Sequence, residues 1–358
     1  MRVCVIGSGL TALALAKALV NENIPVDINI SKTIKKISKN RTLGISKSNF
    51  DYFNKKIINI KKIIWKLNKI EIFSDNLKKE KILSFQNNSE FLFSIIKNYK
   101  LYDLLKKNLS KNKYFKIFNK NKSINFFKNY DLIINTDYSN LITNKFFHKK
   151  IVKRYNSTAF TTVIKHEKIL NNIATQIFTK KGPIAFLPIS NKETSIVYSI
   201  EDSKKNLNVD VESLIKKYNF KLKIKKIEKI EKFKLSYFHL RSYYYKNFLA
   251  FGDLLHKIHP LAGQGYNMTV RDVKILIKII DNRIDLGLPL DSSVNNEFEK
   301  KTKHKNYIFS TSIDLIYELF NFDRKLNNSI LSKSVKFIGR NPSLNKIFTK
   351  IADEGINF

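Results

Sequence analysis

The residues best suited to chemistry in this chain are crowded into the stretch Gly252–Asp272, GDLLHKIHPLAGQGYNMTVRD. Asp253 offers a carboxylate that accepts hydrogen bonds from sugar-like hydroxyls. Behind it, Pro260, Gly263, Gln264, Gly265, Tyr266, Asn267 and Met268 lead into a helix, whose first backbone N–H groups lack intrahelical partners and attract partial negative charge. Gly263 and Gly265 have no Cβ, so the backbone there can approach a flat ligand closely. The arrangement suits an electron-rich or negatively charged ligand that bears hydroxyls. His256 and His259 lie in the same stretch. No carboxylate or cysteine stands at ligand spacing from them, so a metal centre is not expected.

Regular elements must hold these groups in place. Asn247–Phe251 is a short apolar run that reads as a buried strand. Asn267–Asn282 has helical spacing, with Val270, Val273, Ile277 and Ile280 on one side. A similar strand, turn and helix begins the chain. Arg2–Ile6 is an apolar strand, Gly7-Ser8-Gly9-Leu10-Thr11-Ala12 a glycine-rich turn, and an Ala-rich helix then runs to Asn21 before a second strand at Pro25–Ile30. This is the pattern of a βαβ dinucleotide-binding unit. Gly7 suits the tight turn, Gly9 lets a pyrophosphate approach the helix start, and Ala12 permits close packing of helix on strand. An acidic residue to hold the ribose hydroxyls should fall near Ile30 or Ser31. Neither is acidic, and Asp27 sits too early in the strand, so the adenosine end is expected to be held more weakly or by Ser31 as a neutral partner.

The register of Gly252, Asp253, His256, Pro260, Gly263, Gln264, Gly265, Asn267, Arg271 and Asp272 resembles the second FAD-binding motif of the single-component flavin monooxygenases, the para-hydroxybenzoate-hydroxylase-like group. Within that group it is most similar to the ubiquinone-biosynthesis hydroxylases. The resemblance implies FAD as cofactor, NAD(P)H as reductant and O2 as co-substrate. It implies a monooxygenase that hydroxylates the aromatic ring of a polyprenylated phenol through a flavin hydroperoxide, with no single indispensable acid–base residue. Asp253 would hold ribityl hydroxyls, the N–H groups around Gly265–Met268 would face the flavin's pyrimidine side, and Pro260 would shape the loop toward the substrate. Arg41-Thr42-Leu43-Gly44-Ile45-Ser46 is similar to the family's Arg-containing segment, which places Arg41 along the pyrophosphate. From charge alone, Arg41 reads equally as a solvated surface residue. The apolar strand Tyr130–Thr136 ends in Asp137, which matches the Asp of a family Asp-Gly pair in contact with flavin and pyridine nucleotide. Tyr138 replaces the Gly, and that departure bears on how the reductant docks.

The same resemblance implies an α/β fold: a Rossmann-like FAD-binding domain with an inserted, mostly antiparallel β-sheet substrate domain and a C-terminal helical region. The FAD-binding domain is expected to be discontinuous, over 1–60, 90–145 and 246–290. The substrate domain is expected over 61–89 and 146–245, and the C-terminal helices over 291–358. Ile63–Leu67 and Lys69–Ser74 read as short strands, with Trp65 a core residue of the first. Leu92–Leu109 is expected as one amphipathic helix with Ile95, Ile96, Tyr99, Leu104 and Leu105 on a face. Lys106–Lys128 reads as a lysine- and asparagine-rich solvated hairpin. From Ser157 to Ser199 alternating apolar and polar residues between short turns read as an antiparallel sheet, in which His166 has a structural place. Beyond Pro289 the spacing predicts helices over Val294–Phe320, Leu326–Ile338 and Leu344–Ile351.

Composition bounds the rest. In the 358 residues, 66 Lys and Arg against 30 Asp and Glu leave a net charge of +36, which attracts phosphates. Abundant Lys, Asn and Ile also fit a codon bias, and no nucleic-acid module accompanies the charge. Cys4, in the first strand, is expected to be a buried thiol. No apolar run is long enough to span a bilayer, and no signal peptide precedes the first strand. The expected setting is a bacterial cytoplasm, with peripheral contact to an anionic inner membrane or a ubiquinone-biosynthesis complex and a lipid-like phenol as substrate. Two other functions fit the same residues. One is a flavin oxidoreductase of this fold acting on another isoprenoid or aromatic compound, and the other is a non-catalytic scaffold.

Overall fold

The computed structural model describes residues 2–30, 37–75, 80–86, 91–118, 124–202, 209–325 and 341–356, together with 333, 336, 337 and 339. Its centre is a six-stranded sheet that draws on four separated parts of the chain. Val3–Ile6 pairs in parallel with Val26–Asn29 on one side and with Leu132–Asn135 on the other; Phe248–Ala250 then pairs with Leu132–Asn135. VCVI, LIIN and FLA are buried along their whole length, as strands of a parallel sheet covered on both faces must be. The helix Leu10–Asn21 lies over this sheet with Ala12, Ala14, Ala16 and Ala18 all buried. Their small side chains let helix and sheet approach closely. Cys4 is a buried free thiol, whose ionisation burial opposes strongly. Asp27 is already committed: it pairs with Arg2 Nε at 2.7 Å and accepts a hydrogen bond from the Tyr130 hydroxyl at 2.7 Å. It therefore serves strand packing, and Ser31 lies outside the described residues.

Two elements differ from the sequence expectation. Phe115–Phe118 is an edge strand paired in parallel with Val26–Asn29, not part of a solvated hairpin. Its inner residues Lys116 and Ile117 are exposed, so the local pattern carries little sign of pairing. The stretch expected as a single helix from Leu92 is a strand, Phe93–Lys97, followed by a helix, Asn98–Leu109. The strand lies between Thr42–Ser46 and Ile64–Leu67, antiparallel to both. Aromatic and β-branched Phe93, Ile95 and Ile96 favour this extended form once two distant strands offer partners.

The larger sheet has nine strands and is antiparallel, except where Ile173–Thr179 runs parallel to Lys69–Ser74. Its spine is Lys150–His166, a strand of 17 residues that begins before the alternating stretch read from the sequence. One face packs on the helix Val211–Tyr218 through Ile164, Ile177, Ile196, Tyr198 and Ile215. The other face, with Tyr155, Phe178, Leu235 and Tyr237, meets Leu261, Met268, Phe309 and Tyr317 from the segments beyond residue 255. Trp65 is half-buried and donates its indole N–H to the Asn171 carbonyl at 2.6 Å. His166 is buried and bonded to Thr194 and the Glu167 carbonyl, which is the structural place expected for it. From Gln264 onward the regular elements among the described residues are helices: Gln264–Asp285, Ser292–Lys325 and Pro342–Glu354. The expected helix Leu326–Ile338 falls almost wholly outside the described residues. The observed architecture is thus an α/β Rossmann-like sheet joined to a mostly antiparallel sheet, with helices at the end.

Candidate functional site

The two glycine-rich stretches meet in space. Gly252 has φ +65°, and a Cβ there would lie 2.5 Å from Thr11 Cγ2, so this turn rests directly on the first helix. That helix starts at Gly9 with no side-chain cap, and a Cβ at Gly9 would meet nothing within 4 Å. An uncapped helix start facing open space is an anion site in waiting. Gly7 stands behind it with φ +127°, where a Cβ would fall 2.2 Å from Thr136 Oγ1. The Thr136 hydroxyl in turn donates to the Ile6 carbonyl at 2.9 Å. Ala12 is fully buried, and its contribution is packing.

Asp253 follows Gly252 in a short 3-10 turn. Its side chain is exposed, yet protein atoms crowd around the carboxylate. Burial raises its pKa, opposed electrostatically by the basic side chains of His256, Lys257 and Arg41. The Arg41 guanidinium is exposed and lies 5.0 Å from the Phe233 ring centroid.

The second helix start is held against the Arg41 segment by Asn267, which is fully buried. Asn267 Oδ1 accepts hydrogen bonds from the Ser46 N–H and from Asn49 Nδ2, each at 3.0 Å, while its Nδ2 donates to the Gly263 carbonyl at 3.2 Å. Gly263 takes the left-handed conformation, φ +62°, and a Cβ on it would sit 3.5 Å from Gly44 Cα. Gly265 faces nearly open space, its nearest neighbour being Ile258 at 4.0 Å. Pro260 begins the 3-10 turn Leu261–Gly263. Gln264 Oε1 and the Tyr266 hydroxyl are buried with no hydrogen-bond partner among the described residues. Asp253 acts on Tyr266 electrostatically, adding to burial in raising its pKa. The Met268 side chain is in the core, so only its backbone is available at the helix start.

Asp137 lies at the end of its strand beside Thr136, but one carboxylate oxygen accepts from the Ser139 N–H and hydroxyl at 2.8 and 2.7 Å. That makes a local turn. Tyr138 is 66% exposed, so its bulk is spent on the surface rather than on the packing of this turn.

Three features were not read from the sequence. His256 Nε2 is 3.0 Å from Asp272 Oδ2, and Asp272 Oδ1 accepts from Asn306 Nδ2 at 2.9 Å, which ties the motif to the following long helix. The Asp353 carboxylate accepts from the Ser48 N–H at 2.8 Å, and its carbonyl accepts from the Ser46 and Ser48 hydroxyls at 2.9 and 2.8 Å. A residue near the C-terminus thereby braces the Arg41 segment. His259 is buried against Tyr317, stacked at 4.2 Å, and Tyr155, edge-on at 5.2 Å, with both ring nitrogens unpartnered.

Burial pushes His259 down from 6.5 to about 3. The folded chain keeps it neutral while the unfolded chain protonates it, so its stability contribution is present above pH 6.5 and is lost as pH falls toward 3. His259→Phe keeps the stacking and loses no hydrogen bond. The stability difference between variant and wild type should therefore grow by about 2 kcal/mol in the variant's favour between pH 7 and pH 5. Urea unfolding at the two values measures it, and parallel acid profiles would remove the explanation.

The donors present fit FAD. Two open helix starts, an unengaged carboxylate in the groove between them, and the partnerless Gln264 Oε1 and Tyr266 hydroxyl are what a long ligand with phosphates, hydroxyls and a flat amide-bearing ring would occupy.

Residues 131–342 match the family described as squalene epoxidase. The ubiquinone biosynthesis monooxygenase COQ6, mitochondrial, of Danio rerio is 26% identical over 208 residues, covering 46% of this chain and 43% of that protein. The 3-demethoxyubiquinol 3-hydroxylase of Escherichia coli (strain K12) is 31% identical over 153 residues, covering 40% of this chain and 39% of that protein. The chain spans less than half the length of these curated relatives. The crystal structure of p-nitrophenol 4-monooxygenase from Pseudomonas putida DLL-E4 superimposes with a TM-score of 0.77 at 12% identity, over 99% of this chain and 98% of that one. This likeness shows the fold. With more than half of its residues inside the family match, the chain belongs to the squalene epoxidase family, and over part of its length it is similar to ubiquinone-biosynthesis hydroxylases.

Proposed function

We propose that this chain is an FAD-dependent monooxygenase that hydroxylates the aromatic ring of a polyprenylated phenol in ubiquinone biosynthesis, using NAD(P)H and O2. The observation that carries the proposal is the meeting of two open helix starts, at Gly9 and at Gly263–Asn267, on either side of the Asp253 carboxylate. The first helix start, with Arg41, would neutralise the pyrophosphate. Asp253 would accept hydrogen bonds from ribityl hydroxyls, and the N–H groups of Gly265–Met268 would stabilise negative charge on the flavin's pyrimidine edge. Bound flavin supplies the activation of oxygen. The chain's own residues bind and orient it, and Pro260 shapes the loop toward the substrate. In this reading residues 1–60, 90–145 and 246–290 form the cofactor domain, 61–89 and 146–245 the substrate domain, and 291–358 the closing helices. The expected setting is the cytoplasmic side of a bacterial membrane, with peripheral contact to anionic lipid or to a ubiquinone-biosynthesis complex.

The first test is the visible absorption spectrum of the purified protein before and after addition of FAD. Flavin bands that stay with the protein through gel filtration are expected. In a strain that lacks the gene, ubiquinone precursors short of one ring hydroxyl should accumulate. The absence of an acid at Ile30 or Ser31, with Asp27 engaged by Arg2 and Tyr130, and Tyr138 in place of a Gly support a scaffold as the second reading. A colourless protein that cannot be reconstituted, yet is needed for ubiquinone, would make the scaffold the better reading.

A further inference from the structure

We propose that Asp353 is a positioning residue for the flavin cofactor, and that the helix carrying it, Pro342–Glu354, docks and undocks in step with flavin binding. None of the residues in that helix is buried, so apolar packing contributes little to its place. What fastens it is a few polar contacts at its two ends. Near its start, Asn345 Nδ2 donates to the Ser84 carbonyl at 2.9 Å. In its last turn, Asp353 takes the bonds from the Ser48 N–H and from the Ser46 and Ser48 hydroxyls. Segments with few buried contacts open locally at low cost, and this helix is built to come away.

Its far end is fastened where the helix start Gly263–Asn267 is held. Ser46 is the last residue of the strand Thr42–Ser46 and is 1% exposed. Its N–H donates to Asn267 Oδ1, and Asn267 Nδ2 donates to the Gly263 carbonyl. Gly44 of the same strand lies against Gly263, 3.5 Å from where a Cβ would stand. One strand thus touches the helix start at two points, and Asp353 locks the end of that strand. The tail also closes over the next turn of the helix. A Cβ on Gly355 would lie 3.0 Å from Arg271 Nε. Arg271 Nη1 is buried with no hydrogen-bond partner among the described residues, and Asp272 and Asp353 are the acids whose charges act on this guanidinium. Undocking takes one of those acids away and leaves the first turn of the helix Lys47–Tyr52, which has no side-chain cap of its own, without an acceptor for the Ser48 N–H.

The helix start so braced is the one that the proposed function sets against the flavin's pyrimidine edge, and the inference rests on that reading for the identity of the ligand. A ligand that prefers the fastened form shifts the chain toward it by the factor it gains in affinity. Tail docking and flavin binding are therefore one coupled equilibrium.

The test is hydrogen exchange of the full-length protein, read by mass spectrometry over 342–354, with and without saturating FAD. Bound FAD should slow exchange there about tenfold, inside the usual range of coupling between linked sites. Asp353→Ala should lose that slowing and raise the Kd for FAD about tenfold, since both report the same coupling. Asp353→Asn keeps a side-chain oxygen for the Ser48 N–H and should return both readings to within about threefold of wild type. A merely structural helix would exchange at one rate whether or not FAD is bound. The proposal is overturned if exchange over 342–354 ignores FAD, if Asp353→Ala binds FAD as tightly as wild type, or if Asp353→Asn behaves like Asp353→Ala. The first comparison uses the wild type alone, so a variant that fails to fold does not decide it. A wild type that takes up no FAD sinks the flavin reading and this proposal together, whereas FAD bound with unchanged exchange sinks this proposal alone.

Discussion

Replacing Asp253 by alanine is expected to abolish retention of FAD while leaving the apoprotein at least as stable. Among the described residues no hydrogen bond to this carboxylate offsets its surroundings, and burial raises its pKa. A carboxyl whose folded pKa exceeds its unfolded value favours the fold most below the unfolded pKa, and that contribution is lost as pH rises through the folded value. At neutral pH the ionised group therefore burdens the apoprotein, and its removal relieves the burden, more so at pH 8 than at pH 4. In the complex the sign reverses. Hydrogen bonds from ligand hydroxyls to an ionised acceptor contribute about 1.5–3 kcal/mol each, so losing two of them should raise the Kd for FAD by at least about a hundredfold. Titration by flavin fluorescence and urea unfolding of the apoprotein measure the two effects separately. A variant that binds FAD within about threefold of wild type, or one that unfolds far more easily, would show that Asp253 serves the fold.

Gly7→Ala should have the opposite signature. The backbone at Gly7, φ +127°, lies where L side chains are strained, and the new methyl would fall 2.2 Å from Thr136 Oγ1. Strain alone costs about 1–3 kcal/mol. With the overlap added, a loss of about 3 kcal/mol or more is expected, together with loss of bound flavin. Gly9→Ala is the contrast. Its φ of −81° is ordinary and nothing lies within 4 Å, so stability should change by less than about 1 kcal/mol. FAD affinity should nevertheless fall, because the methyl enters the space proposed for the pyrophosphate. Adding Thr136→Ala to Gly7→Ala should restore only the overlap part. Thermal unfolding and flavin content, read on all three variants, test the scheme. Equal stability losses at Gly7 and Gly9 would contradict it.

These expectations draw on parts of the molecule that the sequence exposes unequally. The strand, glycine turn and alanine-rich helix at Arg2–Asn21 are local patterns with few competing readings, and they fold as read. The long helices after Gln264 are equally plain, because their apolar spacing persists over many turns. Phe93–Lys97 was hidden, since Ile95, Ile96 and Tyr99 fit a helical face as well as a strand. The choice was made by Thr42–Ser46 and Ile64–Leu67, which the local pattern does not contain. Phe115–Phe118 was hidden for a similar reason, as an edge strand with exposed inner residues.

In the site, the motif named the glycines and Asp253, but not what fastens them. Asn267 stands in the motif, yet its hold on Ser46 and Asn49 appears only when segments more than two hundred residues apart come together. Asp353 carried no signal at all, because an acid near a chain end looks like surface until the uncapped first turn of the helix Lys47–Tyr52, with its Ser48 N–H, is beside it.

The order of the central sheet bears on how the protein is made. Val3–Ile6 cannot find both its neighbours until Leu132–Asn135 has been synthesised, and Phe248–Ala250 must then add before Gly252 comes to rest on the first helix. Such pairings between distant segments form slowly and leave apolar strand edges open meanwhile. The nascent chain therefore passes most of its time on the ribosome without a groove to fill. Cofactor uptake is a late event, and chaperone occupancy rather than flavin supply should limit the yield of active protein at high expression.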